Sequence, residues 1–145
     1  MSLASAIQPI VTNPEVTVLM AVYNGREFLR EAIESVLGQT FANLEFLIVN
    51  DGSTDGSRDI ILTYTDPRIR FLDNPENIGL TRSLNRGLEK ALGNWIVRAD
   101  VDDWNDPDRV AKQIEYATTR ELDVCFCDIR VTPDQGGAYI KRFSD

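Results

Sequence analysis

Two continuous apolar runs, "VTVLMAV" (Val16–Val22) and "LEFLIVN" (residues 44–50), constrain this chain more than any other feature. Each has strand length and little alternation of apolar with polar residues, the pattern of a strand covered on both faces. Such strands need helices on either side, and the sequence between and after them supplies these. Phe28, Leu29, Ala32, Ile33, Val36 and Leu37 recur at helical spacing, with Gly38 placed to close the helix. After the second run, "DGSTDGS" reads as a turn and "RDIILTYT" as a helix. "IRFLD" (residues 69–73) predicts a short third strand, and Leu80, Leu84, Leu88, Ala91 and Leu92 predict a helix closed by Gly93. "NWIVRAD" predicts a fourth strand, Pro107 the first turn of a helix reaching Thr119, and "DVCFCDI" a fifth strand. Strand and helix alternate throughout. The expected class is α/β, a mostly parallel open sheet with helices on both faces.

Composition narrows what such a sheet can do. With 145 residues the chain is one domain's worth, and a net charge of -8 argues against nucleic acid as a partner, which calls for a basic face. No apolar run approaches the ~20 residues of a membrane span, and the first residues lack the basic-then-apolar layout of a signal peptide. The expected location is cytoplasmic, with membrane association only through a region outside this chain. Residues 1–15 read as a loose leader, 16–130 as the domain, and 131–145 as the start of a further region. Histidine is absent, which removes imidazole bases and His-ligated metals. Cys125 and Cys127 stand two apart in the fifth apolar run, so they are expected as buried thiols on one strand face, not a redox or zinc pair.

Ligands of open α/β sheets bind beyond the carboxyl ends of the strands. Three polar segments fall there: "YNG" after the first strand, "NDGSTD" after the second and "DVDD" after the fourth. The last begins a run of five aspartates, Asp100, Asp102, Asp103, Asp106 and Asp108, with no basic residue inside it. Asp106 and Asp108 flank Pro107 and suit a helix start. Asp100, Asp102 and Asp103 sit at the strand end, where close carboxylates raise one another's pKa unless a cation intervenes. Mg2+ or Mn2+ prefers oxygen ligands, takes one or two carboxylates, and completes its shell with phosphate and water.

The blocks "VTVLMAVYNG", "SVLGQT", "LEFLIVNDGSTDGS", "NPENIGLTRSLNRGLEKALGNWIVRADVDD" and "PDRVAKQ" stand in the order and spacing of family 2 glycosyltransferases. Over residues 16–129 the chain resembles their nucleotide-sugar-binding half, which has the Rossmann-like GT-A fold. The resemblance implies inverting transfer of a sugar from a nucleotide-diphospho-sugar, with UDP the expected nucleotide, to a glycan or lipid-linked acceptor in polysaccharide biosynthesis. An alternative is a nucleotide-sugar-binding module without transferase activity of its own.

Residue by residue, the resemblance makes Asp100 and Asp102 the D-x-D pair. Asp102 would bind Mn2+ or Mg2+, and Asp100 would share the ion or contact the ribose beside Val101. Asp51 matches the acid that accepts a bond from a base N–H, usually that of uracil. A turn-capping role for Asp51 is the plainer alternative. Ala21 and Tyr23 match positions lining the base pocket. Arg98 lies two residues before Asp100 and would pair with it if strand alternation holds. Arg82 is placed either toward the diphosphate or as a surface helix arginine. Ala21 and Val22 replace the family's frequent Pro-Thr, and Phe126 replaces a frequent glycine. No counterpart of the catalytic base is found; Asp134 and Asp145 are loose tail acids. The chain therefore reads as an excised donor-binding half.

Two rivals fit worse. A phosphoacceptor receiver domain needs paired acids after the first strand, where Tyr23 and Asn24 stand. A nucleotidyltransferase needs a Gly-rich basic phosphate loop there, and "AVYNGREF" has one glycine and one arginine.

Overall fold

The computed structural model describes residues 13–133 and 137–142. Asp134 and Asp145, and most of the expected leader, lie outside the described residues. Four strands, β1 (Val16–Val22), β2 (Leu44–Asp51), β3 (Ile69–Asn74) and β4 (Trp95–Arg98), form one sheet in the order β3-β2-β1-β4. All three pairings are parallel, as expected. Between them run the helices α1 (Leu29–Leu37), α2 (Ser57–Leu62) and α3 (Leu80–Leu88), with α4 (Arg109–Thr119) after β4. The chain steps from β1 out to β3, then returns to the far side of β1 as β4. Such a reversal leaves a crevice beyond the carboxyl ends of the strands.

The register keeps alternate side chains of neighbouring strands on common faces, with Val16, Val18 and Met20 opposite Leu44, Phe46 and Ile48. One face buries these residues against Leu29, Ala32, Ile33 and Val36 of α1, Ile61 of α2, and Val110 and Ile114 of α4. On the other, Leu19, Leu47 and Val49 pack with Leu84 and Ala91 beside α3. Helices therefore cover both faces, which explains why β1 and β2 read as mainly apolar runs without alternation. Phe46 sits at the centre and is fully buried; its truncation to alanine would cost about 3–5 kcal/mol. Among the described residues no helix is long and apolar enough to cross a membrane.

Two expectations are corrected. The helix begun at Leu80 ends at Leu88, not Leu92. Its continuation is diverted by Glu45, a buried carboxylate on β2 that accepts the Leu92 N–H at 2.5 Å, while Gly93 N–H bonds Thr17 Oγ1 at 2.9 Å. Those amides cannot also follow the helical ladder. Thr17 donates to the same carboxylate at 2.5 Å and Arg70 at 2.6 Å. Burial pushes the Glu45 carboxyl up, but these bonds and the Arg70 charge prevail and hold it below the ordinary value.

The second correction is at "DVCFCDI". Residues 123–128 form no strand; β5 (Ile129–Val131) pairs antiparallel with β6 (Tyr139–Lys141), apart from the main sheet. An apolar run becomes a strand only where a ladder partner receives it, and Val124 and Phe126 lie exposed. Cys125 and Cys127 are accordingly half-buried free thiols.

Candidate functional site

The loop after β1 is fastened to the loop after β2 by side chains of "NDGSTDGS". Asn24 takes a left-handed backbone (φ 52°), and its N–H donates to Ser53 Oγ at 3.0 Å while its Oδ1 accepts the Thr54 N–H at 2.8 Å. Gly25 N–H donates to Ser57 Oγ at 3.1 Å, and Arg26 N–H to Asp55 Oδ2 at 2.9 Å. Asp55 also accepts the Ser57 N–H at 2.9 Å and hydroxyl at 2.6 Å, an aspartate closing a turn onto the residue two further on. The sequence reading missed Asn24, Ser53, Asp55 and Ser57. The Asp-x-Ser spacing was the available signal.

The same β1 loop meets the loop after β4. A β-carbon on Gly25 would lie 2.5 Å from Cγ2 of Val101, so the two segments are in contact only because residue 25 has no side chain. The pairing of β1 with β4 ends at Leu19 and Arg98, and the Ala99 N–H donates to the Leu19 carbonyl at 3.0 Å just before Asp100. The three polar segments thus converge as expected. Ala21 is half-buried and Tyr23 exposed (52%) at the carboxyl end of β1.

Asp51, at the end of β2, is 2% exposed. Its Oδ1 accepts Asn74 Nδ2 at 2.8 Å and the Ile78 N–H at 2.9 Å, and its Oδ2 accepts the Gly79 N–H at 2.9 Å. Burial pushes this carboxyl up; the Ile78, Asn74, Ser83 and Gly79 bonds outweigh burial and leave it below the ordinary value. The loop between β3 and α3, absent from the sequence-based site, is therefore held against the end of β2. Arg82 lies exposed on the first turn of α3.

On the β4 side, Arg98 pairs with Asp100 at 2.9 Å, the geometry alternation requires. Asp103 N–H closes a turn on the Asp100 carbonyl at 3.2 Å, leaving Asp102 and Asp103 exposed at its tip. The Asp103 carboxyl is raised, first by lost hydration on its inner side, then by Asp100 and Asp102, which Arg109 and Arg98 offset only in part. Among the described residues no three side chains are placed to hold a metal by themselves. Asp100 and Asp102 are nevertheless oxygen donors of the kind a hard divalent cation takes when phosphate and water supply its other ligands.

Helix α1 anchors this acidic loop from below. Gln39 donates to the Asp106 carbonyl at 2.7 Å and accepts the Val110 N–H at 2.9 Å, and Ser35 Oγ accepts the Asn105 N–H at 3.1 Å. Asp108 occupies the N-cap of α4 but caps no backbone amide; it accepts the Thr40 hydroxyl at 3.0 Å and pairs with Lys112 at 3.5 Å. The "SVLGQT" segment thus positions the acids from another element.

Comparison with known proteins agrees with this fold. The model of glycosyl transferase family 2 matches residues 17–144. The putative glycosyltransferase EpsH of Bacillus subtilis is 40% identical over 79% of this chain and 33% of its own length. The putative teichuronic acid biosynthesis glycosyltransferase TuaG of Bacillus subtilis is 34% identical over 85% of the chain and 50% of its own length. The chain thus spans a third to a half of these relatives. Among solved structures, residues 1–349 of TarS of S. aureus in complex with UDP-GlcNAc superpose with a TM-score of 0.69 at 22% identity, covering 74% of this chain and 32% of that one. The mannosyltransferase PcManGT from Pyrobaculum calidifontis, in complex with GDP-Man and Mn2+, gives 0.67 at 27% identity, covering 77% and 35%.

Proposed function

The chain belongs to glycosyl transferase family 2, and from that premise we propose that it binds a nucleotide-diphospho-sugar in the crevice between β1 and β4. Ala21, Tyr23 and Asp51 border the base side; Arg98, Asp100 and Val101 border the ribose and diphosphate side. One observation carries this reading: the contact of Gly25 with Val101 brings the polar end of β1 against the acidic turn after β4. A crevice lined with aspartates would repel a diphosphate unless a cation lay between them. Asp100 and Asp102 are the residues that would hold Mn2+ or Mg2+. The bound cation supplies neutralisation of charge on the departing diphosphate. Mn2+ beside GDP-Man in PcManGT supports that role.

UDP is the favoured nucleotide, on the family pattern of the "NDGSTD" block. Relatives such as TuaG support polysaccharide assembly as the setting. Inverting transfer also needs a general base for the acceptor hydroxyl. We place that base and the acceptor site in sequence of the kind that relatives carry over the rest of their length.

The test is calorimetric titration of UDP, UDP-GlcNAc and GDP-mannose with and without Mn2+. The expected result is saturable binding of at least one nucleotide in the presence of Mn2+. No binding of any nucleotide under either condition would sink the proposal.

A further inference from the structure

One guanidinium joins the two ends of the acidic turn. Arg109, the first residue of α4, is half-buried and directs its planar fork at three acceptors. Nη2 donates to the Arg98 carbonyl at 2.9 Å, Nη1 to Asn105 Oδ1, and Nε to Gln113 Oε1 at 3.0 Å. Arg98 ends β4, and Asn105 stands where the chain leaves the turn. Residues 99–104, with Asp100, Asp102 and Asp103 among them, are thus a loop closed by one side chain.

Both ends are themselves constrained. Among the described residues β4 is an edge of the sheet, and the Ala99 N–H is bonded across to Leu19. Backbone groups alternate in direction along a strand, so the Arg98 carbonyl faces the open edge, where Arg109 meets it. Asn105 is 4% exposed, and its backbone N–H and Nδ2 both donate to Ser35 Oγ at 3.1 Å. Turned over, that amide would set its NH2 against the guanidinium, so its orientation is fixed. The Arg98 side chain pairs with Asp100 at 2.9 Å, so a hold on the Arg98 backbone bears on this carboxylate too. An ammonium presents its donors at one point and cannot span these acceptors.

We propose that Arg109 is a positioning residue for the cation: it touches neither ion nor nucleotide, and holds the acidic turn from both ends in the form in which Asp100 and Asp102 take the ion. The proposal rests on the nucleotide-sugar reading and deepens it on the cation side. Charge and geometry here predict opposite signs. Arg109 is a positive charge that acts on Asp103. By charge alone, its removal should strengthen the attraction for a divalent cation. By positioning, its removal should weaken binding, because a loosened turn must be ordered as the ion arrives.

Two variants of the full chain test this, Arg109→Gln, which removes charge and fork, and Arg109→Lys, which keeps the charge alone. Thermal melting checks folding. Groups that orient metal ligands typically contribute 10–100-fold to metal affinity, so both variants should raise the Kd for UDP in Mn2+ by on the order of tenfold or more. Hydrogen exchange at the Asp103 and Asn105 amides should rise in both with no metal present, since these amides close the turn and its exit. Unchanged or tighter binding in Arg109→Gln would reduce Arg109 to a background charge and overturn the proposal. Wild-type affinity in Arg109→Lys would show that the fork is not needed and overturn it too. If Arg109→Gln does not fold, Arg109→Lys decides by itself. Wild-type binding of UDP that is equal in Mn2+ and EDTA removes the cation, and the proposal with it. Wild-type protein that binds UDP in neither overturns the functional reading instead, and exchange at Asp103 and Asn105 then decides separately whether Arg109 holds the turn.

Discussion

Gly25 and Val101 touch across the sheet's switch point, with room for no β-carbon between them: one built on Gly25 falls 2.5 Å from Cγ2 and 3.0 Å from Cγ1 of Val101. Residue 25 belongs to the loop after β1 and residue 101 to the turn carrying the aspartates. The loop after β1 and the acidic turn after β4 are therefore one packed unit.

Replacing Gly25 with alanine should separate them. Valine branches at its β-carbon and cannot swing clear without leaving its rotamer, so overpacking should cost about 1–3 kcal/mol. Urea denaturation reads the stability, and UDP affinity with Mn2+ should fall as the acidic turn shifts. Unchanged values for both would show that the two loops part freely.

Glu45 is the other place where one side chain holds distant elements together. Glu45→Ala would leave the Thr17 hydroxyl, the Leu92 amide and the Arg70 guanidinium without their shared acceptor. Breaking a buried pair in this way costs about 3–5 kcal/mol. Hydrogen exchange at Leu92 should rise with it, because that amide is held by the carboxylate and not by α3. A loss below 1 kcal/mol, about the worth of an exposed pair, would count against this account.

Stability should fall in acid. Glu45, Asp51, Asp55, Asp66 and Asp73 all titrate below their ordinary values when folded. A depressed folded pKa gives stability that is present above the unfolded pKa and lost as pH falls through the folded one. Asp103 is raised and has the opposite sign, favouring the folded state below its unfolded pKa and losing that as pH rises through the folded value. Five groups outweigh one. Urea midpoints should be level from neutral to about pH 5 and decline below that; a midpoint that rises in acid would contradict the assignment.

Nucleotide diphosphate should bind only with a divalent cation, and Asp102→Asn should weaken the cation-dependent part. Loss of a mere partner of a metal ligand costs roughly 10–100-fold in metal affinity, so loss of the ligand itself should cost at least on the order of tenfold. Calorimetry with UDP in Mn2+ and in EDTA decides the matter. Equal affinity in the two would remove the cation from the site.

Much of the fold was legible because burial on both faces leaves a local record. Val16–Val22 and the run from Leu44 had to be largely apolar on both faces, with Thr17 and Glu45 as partnered exceptions, and α1 had to carry Leu29, Ala32, Ile33 and Val36 on one stripe. Such patterns repeat within a few residues, so the sequence displays them. The carboxyl ends of the strands were likewise legible as the place where polar segments gather. Strand β5 was misplaced because a strand is a state of pairing, and the sequence of "DVCFCDI" does not state whether a ladder partner receives it. The end of α3 was misread for a related reason: Ala91 and Leu92 keep the helical period, but Glu45, 47 positions away, takes the Leu92 amide.

The site divides in the same way. Sequence alone determined which residue types stand at the ends of β1, β2 and β4, and that five aspartates fall between positions 100 and 108. Only the tertiary structure decided which groups those side chains meet. Asp51 reads identically in the sequence whether it faces a ligand or a loop; Asn74, Ile78 and Gly79, which donate to it, lie 23 or more residues away. Gln39 and Ser35 likewise set the acidic turn from 67 to 71 residues away. A hydrogen bond reaches only ~3 Å, so which donor satisfies a carboxylate is fixed by how the chain returns upon itself, and no local pattern records that return.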